Sequence, residues 1–130
     1  MLDSAQVEQQ EERLRQHIRA LPDAQRLEFF RLLEPRLKDP DTYAALNFVF
    51  IAGLHHFYLG RWWLGIMDLT LFWGGMSLWF LGLTGIGMTL VFAVMLFESI
   101  QLLRSQIIVK DFNNRLMDRL YKTLSKHAGR

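Results

Sequence analysis

The stretch of sequence that decides the fold covers residues 62–97 and reads WWLGIMDLTLFWGGMSLWFLGLTGIGMTLVFAVMLF. It holds one charged side chain, Asp68, in 36 positions. A soluble protein of 130 residues has too little remaining chain to cover so long an apolar stretch. Hydropathy of this kind is typical of membrane-spanning helices, so we predict that the stretch lies in a lipid bilayer.

Charge is divided unevenly along the chain. It has 15 basic and 13 acidic side chains, but residues 43–108 hold only four of them: Arg61, Asp68, Glu98 and Arg104. A soluble domain would spread its charges over its whole surface. The sequence therefore predicts a soluble helical arm at residues 1–42, a transmembrane domain at residues 43–108 and a basic amphipathic helix at residues 109–130.

Composition excludes several functional classes. The chain has no cysteine, which excludes disulfides, thiolate metal sites and thiol catalysis. A net charge of +2 gives no indication of a nucleic-acid partner. The sequence contains no nucleophile elbow, phosphate loop or HExxH motif. We therefore predict that the protein is not an enzyme and that it carries no cofactor and no metal.

Three apolar segments make up the membrane region, at residues 43–59, 63–82 and 86–108. A bilayer core about 30 Å thick needs roughly 20 helical residues, so the second and third segments are long enough to cross and the first is marginal. Basic residues flank the region on both sides, which favours two cytoplasmic termini and an even number of crossings. Either one segment is then re-entrant, with the short first one favoured, or one basic end lies outside. We predict an all-α fold, either a membrane helical hairpin or a three-helix bundle, in a bacterial inner membrane.

The N-terminal arm is predicted to form two helices. Ser4 is a candidate cap for the first helix, and Pro22 suits the first position of the second. The first helix has apolar residues at helical spacing, namely Val7, Leu14, Ile18 and Leu21. The second has Leu27, Phe30, Leu33 and Leu37 on one face, with Phe29 and Leu32 at its margins. These faces either bury each other or dock on the membrane surface or on a partner.

The C-terminal residues 109–130 are basic and amphipathic. They hold six Lys or Arg and two Asp, and their apolar positions recur at helical spacing: Val109, Phe112, Leu116, Leu120 and Leu124. Such a helix either is attracted to an anionic membrane surface or is a solvated helix whose charges fix the topology.

Ionisable side chains at membrane depth are costly and are therefore functional candidates. If the second and third segments form an antiparallel hairpin centred near Leu83, Asp68 and Glu98 lie 15 residues from its centre on either side. A turn at Arg61 would bring the adjacent His55 and His56 to the same depth, and it would make Arg61 a further partner for Asp68.

Three interpretations of this polar cluster of His55, His56, Asp68 and Glu98 remain open. The first is a buried hydrogen-bond cluster that pins the helices together. The second is a path for protons or ions. The third is a divalent metal site, which the sequence disfavours because adjacent residues on a helix point about 100° apart.

Small residues at four-residue spacing predict close helix packing. Such stripes are formed by Thr70 and Gly74 in the second segment and by Gly85, Thr89 and Ala93 in the third. The spacing does not say whether the neighbouring helix belongs to the same chain.

The run GLHHFYLGR at residues 53–61, followed by Gly65 and Ile66, resembles the signature of the TM-two domain family of small membrane proteins. The matching positions are Phe57, Tyr58, Leu59, Gly60 and Gly65. Glu98 looks like the acidic residue of the family's last helix, and Asn113 resembles a polar position after it. The resemblance covers about residues 44–115.

Two departures from the family pattern stand out. His56 occupies a position where the family usually has Arg, and the interval from Gly65 to Glu98 is longer by about one membrane segment. The resemblance implies a multi-pass membrane protein but no particular reaction.

The signature also predicts a turn after the first segment. Gly60 would let the backbone turn, and Phe57 and Tyr58 would anchor the turn at the interface ahead of Arg61.

We therefore predict a non-enzymatic multi-pass membrane protein that acts as an accessory or scaffold, through protein partners or self-association. Its partners would be the lipid bilayer and either another protein or further copies of the chain, and not nucleic acid. The alternative is a small oligomeric ion or proton transporter that uses the polar cluster. A third possibility is a module that works at the membrane surface through its basic C-terminal helix.

Overall fold

The computed structural model describes residues 3–49 and 53–128, and all regular elements in those ranges are helical, which confirms an all-α fold. The chain divides into two compact units, Met1–Asp39 with Ile107–Arg130, and Pro40–Gln106. The α-helices are α1 (Ser4–Arg19), α2 (Asp23–Leu33), α3 (Pro40–Val49), α4 (Leu54–Tyr58), α5 (Trp62–Phe80), α6 (Thr84–Leu103) and α7 (Ser105–Ala128), and a 3-10 turn, Glu34–Arg36, follows α2.

The first unit is built from α1, α2 and most of α7. Its core consists of Ile18, Phe29, Leu33 and Leu120, with further apolar residues of α7 packed against them. The amphipathic face of α7 is therefore used inside this unit. The attraction of its basic residues to an anionic membrane surface stays a prediction.

Two asparagines fasten α7 within the first unit. Asn114 donates its amide to the carbonyl oxygen of Val7 at 2.8 Å. Asn113 accepts from the backbone N–H of Lys38 at 3.0 Å and donates to the carbonyl oxygen of the same residue at 2.8 Å. Asn113 is the polar position that the family resemblance indicated. Its side-chain amide makes two hydrogen bonds to the backbone of a single residue.

Local details of the arm differ from the sequence prediction. Asp3 caps α1 in place of Ser4, through a 3.0 Å bond from the backbone N–H of Ala5. Pro22 precedes α2 and is not its first residue.

The predicted buried face of α2 is shifted as well. Phe29 is fully buried, whereas Leu27 is 74% exposed and Phe30 is 44% exposed. The sequence favours both faces about equally, because apolar residues surround most of this helix.

In the second unit, α5 and α6 pack side by side and are joined by a tight turn. Gly82, at a φ of 85°, ends α5. The N–H of Leu83 bonds to the carbonyl of Leu78 at 3.0 Å and that of Gly82 to Trp79 at 3.1 Å, which forms a Schellman cap. The predicted hairpin centre near Leu83 is confirmed.

Two glycines set the closest approach of α5 and α6. A Cβ at Gly87 would lie 2.6 Å from the carbonyl oxygen of Gly75, and one at Gly75 would lie 3.1 Å from the carbonyl oxygen of Gly87. The two helix backbones touch at this point, and a side chain at either position would force them apart.

The small-residue stripes predicted from the sequence do not form this contact. All five residues are exposed, and a Cβ at Gly74 or Gly85 would meet nothing within 4 Å: Thr70, Gly74, Gly85, Thr89 and Ala93. The glycines that are in contact occupy a different face of each helix, so close packing at these stripes stays a prediction.

The first apolar segment is not one helix. It contains α3 and α4, and residues 50–52 lie outside the described residues. Gly53 precedes α4 with a φ of 77°, a left-handed conformation that favours glycine. α3 has ten residues, a length of about 15 Å, which is half of a bilayer core.

One helix in the described part of the chain, α6, is long and apolar enough by itself to cross a membrane. α5 has 19 residues but contains Asp68, three glycines and four tryptophans, which lower its hydropathy. By length and composition, one of the three predicted segments therefore forms a helix that could cross a membrane.

Candidate functional site

The four predicted polar residues meet inside the second unit. α4 packs against α5, and α3 packs against α6. His55 Nε2 lies 3.3 Å from Glu98 Oε2, and His56 Nε2 lies 2.9 Å from Asp68 Oδ2. Each of these four side chains is at most 3% exposed. Counting along the sequence placed these four residues at one level of the hairpin, and the structure brings them into contact.

The two histidines lie closer to each other than their helical positions suggested. Their ring centroids are 4.1 Å apart, with an interplanar angle of 41°. The expected separation of about 100° describes the directions of the Cβ atoms, whereas the side-chain rotamers of His55 and His56 bring the rings together. The prediction that His55 and His56 cannot both face one metal ion is therefore wrong.

Tight turns fix the position of α4. Gly60, at a φ of 69°, ends this helix. The N–H of Arg61 bonds to the carbonyl of His56 at 2.8 Å and that of Gly60 to Phe57 at 2.9 Å, a second Schellman cap. The turn predicted at Gly60 is confirmed, and it comes from the backbone conformation, since a Cβ there would meet nothing within 4 Å.

Glycines let α4 and its preceding turn lie directly on α5. A Cβ at Gly53 would be 2.9 Å from the Cβ of Asp68, and one at Gly65 would be 2.6 Å from the ring of Phe57. The Phe57 ring also meets Trp62 edge-on, with centroids 5.2 Å apart. Two positions of the quoted signature, Phe57 and Gly65, therefore form one contact.

The remaining signature residues lie at the end of α4 and at the start of α5. Leu59 is buried and Tyr58 is half-buried. Arg61 precedes α5 as its N-cap residue. Asp68 pairs with His56, and not with Arg61 as the sequence had suggested.

Three residues that the sequence did not single out complete the cluster. Asn47 donates to Glu98 Oε2 at 2.9 Å, and the Tyr43 hydroxyl donates to Gln101 Oε1 at 3.0 Å. The amide nitrogen of Gln101 lies 3.2 Å from His56 Nε2. A usable signal was present, since Gln101 follows Glu98 by three positions and so shares its helix face.

Several polar atoms of the cluster lack hydrogen bonds. Five buried atoms have no aligned hydrogen bond: both ring nitrogens of His55, Nδ1 of His56, Oδ2 of Asp68 and Oε1 of Glu98. The 3.3 Å approach of His55 to Glu98 is close enough for an ion pair but is not aligned as a hydrogen bond. Buried polar groups are normally paired, so this number of unpaired atoms in one place needs an explanation.

The cluster lies near one end of the α5–α6 hairpin. Asp68 is the seventh residue of α5 and Glu98 is the sixth from the end of α6. Six residues of helix correspond to about 9 Å, so the polar layer lies roughly two turns from the end that holds Arg61 and Arg104. A groove of about 220 Å³ between α3 and α6 reaches Glu98; it is lined by Asn47, Phe48, Met95, Glu98, Ser99 and Leu102.

Comparison of the chain with protein-family models, with curated proteins and with solved structures finds no match. The resemblance to the TM-two domain family therefore stays a prediction that rests on the quoted residues.

Proposed function

We propose that this protein is a non-enzymatic integral membrane protein, anchored by α5 and α6, that acts through protein partners or self-association. One observation carries the proposal. Of the 22 large apolar side chains that are exposed in the described residues, 18 lie between Trp62 and Leu103. Exposed apolar surface of this extent marks contact with lipid or protein.

The distribution of charge on the hairpin supports a lipid environment. Its two acidic side chains, Asp68 and Glu98, are turned inward and buried, so its outer surface carries no charge between Trp62 and Leu103. With 19 and 20 residues, α5 and α6 are about 28–30 Å long, which matches a bilayer core. Trp62 and Trp63 are exposed beside Arg61, where amphipathic rings favour the interface.

A two-crossing topology follows from this arrangement. Two antiparallel crossings return the chain to the side on which it entered, and the short α3 and α4 cover the polar layer without crossing. Both termini then lie in the cytoplasm of a bacterial cell, as the basic flanks favour. The loop at residues 81–83 lies at the opposite face of the membrane.

The absence of native cysteine allows a direct test of this topology. Single cysteines at Ser4, Leu83 and Ser125, all exposed, would be treated in intact cells with an impermeant thiol reagent. We expect labelling at Leu83 and protection at Ser4 and Ser125 until the cells are lysed. Labelling of either terminal cysteine in intact cells would contradict the topology, and release of the protein by alkaline carbonate would contradict membrane integration.

Association with a further helix is supported by the small-residue stripes. Gly74 and Gly85 present open backbone on the hairpin surface, where a second helix can approach closely. A substitution to Leu at either position should weaken crosslinking between copies or to a copurifying partner, whereas Leu71→Ile on the same exposed surface should not. Unchanged crosslinking in both glycine variants would exclude association through these stripes.

Ion or proton transport is the second candidate, and the buried polar cluster is the feature that favours it. A relay across the hairpin needs ionisable groups beyond this layer, but the sequence from residue 69 to residue 97 contains none. We therefore prefer the accessory role. Flux of protons or cations in vesicles reconstituted with the protein, abolished by Glu98→Gln, would reverse that preference.

A further inference from the structure

We propose that His55, His56 and Glu98 form a binding site for one divalent first-row transition metal ion. Each residue offers one ligand atom, and these atoms all lie within 4.8 Å of one another. All three side chains are buried, at 0%, 1% and 3% exposure. Three convergent ligands held by α4 and α6 are enough to bind a metal, with a fourth position left for water.

The unpaired atoms of the cluster are an independent observation that points to a ligand. His55 has no hydrogen bond at either ring nitrogen, and neither His56 Nδ1 nor Glu98 Oε1 has one. Burial removes these atoms from water, and no aligned hydrogen bond replaces the water. A bound cation would satisfy one atom of each residue at once.

The surrounding residues resemble the outer partners of a metal site. Ligating histidines usually direct their second ring nitrogen to a carboxylate, and ligating carboxylates accept a further hydrogen bond. Here Nε2 of His56 faces Asp68 at 2.9 Å, while its Nδ1 has no partner. Asn47 donates to Oε2 of Glu98 at 2.9 Å and leaves Oε1 unpaired.

The donor set selects the kind of metal. Two imidazoles and one carboxylate suit Zn²⁺, Fe²⁺, Co²⁺ or Ni²⁺, whereas Mg²⁺ and Ca²⁺ prefer oxygen ligands alone. Ligand atoms about 2.1 Å from a tetrahedral metal are about 3.4 Å apart, so ligand atoms that are up to 4.8 Å apart in this site would move together by as much as about 1.4 Å when it is filled. The groove that reaches Glu98 between α3 and α6 provides a route of entry.

Zinc binding to the full-length protein in detergent tests the proposal. The protein would be stripped with a chelator and titrated with Zn²⁺, with Mg²⁺ as the comparison ion. We expect one tightly bound Zn²⁺ for each chain and no comparable binding of Mg²⁺. Loss of an outer partner alone typically weakens metal binding by roughly 10–100-fold, so Glu98→Gln and His55→Gln, which remove ligands, should weaken it by more than about 100-fold.

His17 provides a matched control. It is exposed on α1 and stacks on Tyr121, so His17→Gln removes a histidine of the kind that binds zinc adventitiously. This variant should bind Zn²⁺ with the wild-type affinity. Unchanged affinity in Glu98→Gln and His55→Gln, or a loss confined to His17→Gln, would overturn the proposal.

A measurement on the wild type keeps the test valid even when a ligand variant fails to fold. Zn²⁺ should shift the ring ¹⁵N resonances of His55 and His56 and leave those of His17 in place. It should also raise the melting temperature in proportion to the logarithm of its concentration. Absence of both effects in the folded wild type would exclude the site, and neither result depends on the membrane topology proposed above.

Discussion

Gly87 lies against the backbone of Gly75, so close that a Cβ added to Gly87 would be 2.6 Å from the Gly75 carbonyl oxygen and 2.5 Å from the backbone nitrogen of Trp79. Backbone atoms cannot move aside as a flexible side chain can. This contact therefore sets the distance between α5 and α6, and through it the distance between the two helices that carry Asp68 and Glu98.

Gly87→Ala should destabilise the protein by about 1–3 kcal/mol, the usual cost of overpacking. Gly85→Ala is the matched control on the same helix, because its Cβ would meet nothing within 4 Å. That change should be neutral or stabilising by up to about 1 kcal/mol, since alanine favours helix over glycine. Thermal unfolding in one detergent, followed by circular dichroism, compares them; equal effects at both positions would show that the helices do not touch at Gly87.

Gly60→Ala should cost about 1–2 kcal/mol, because residues with a Cβ are disfavoured at a positive φ. Gly60→Asn should cost less, since asparagine tolerates this conformation. Gly60→Leu should likewise be more harmful than Leu59→Met, a volume-conserving change at a buried site. Melting temperatures of these variants provide the measurement, and Gly60→Asn as unstable as Gly60→Ala would argue against a left-handed residue here.

Asn47→Leu should destabilise the second unit by about 1–3 kcal/mol, because it removes the donor to a buried carboxylate. The neighbouring Phe48→Leu is the control, since Phe48 is 74% exposed. Hydrogen exchange of α3 and α6 amides measures the local effect. The prediction fails if exchange in α6 is as slow in Asn47→Leu as in Phe48→Leu.

Phe29→Ala and Phe30→Ala should differ sharply although the residues are adjacent. Phe29 is fully buried in the core of the first unit, so its truncation should cost about 3–5 kcal/mol, whereas that of the half-exposed Phe30 should cost less than about 1 kcal/mol. Proteolysis within α2 and α7 under native conditions reports the difference. Greater sensitivity of Phe30→Ala would restore the helix face that the sequence suggested.

The hairpin and the polar layer could be predicted because both follow from counting along the chain. Asp68 and Glu98 are equidistant from Leu83, and an antiparallel pair of helices places equidistant residues at one depth. The signature glycines were also informative, since Gly60 is required by the backbone conformation that ends α4.

Other contacts could not be predicted, for reasons that are equally physical. Gly74 and Gly75 are adjacent in sequence but lie on different faces of α5, and composition does not reveal which face meets α6. The apolar face of α7 was evident from the sequence. An apolar face does not show which surface will cover it, because packing on α1 and α2 competes with binding to lipid. Asn47 carries no charge, so a single amide in an apolar segment gave little sign of its bond to Glu98.

The order in which the chain is synthesised determines when the hydrogen bonds of the polar cluster can form. Gln101 is made 58 residues after its partner Tyr43, and Glu98 is made 51 residues after Asn47. Until α6 has emerged, the polar side chains of α3 and α4 have none of these partners, and domains generally form from the N-terminus during synthesis. The segment of the second unit that is synthesised first is therefore completed last, and delayed folding of α6 would leave His55 without Glu98 and Tyr43 without Gln101.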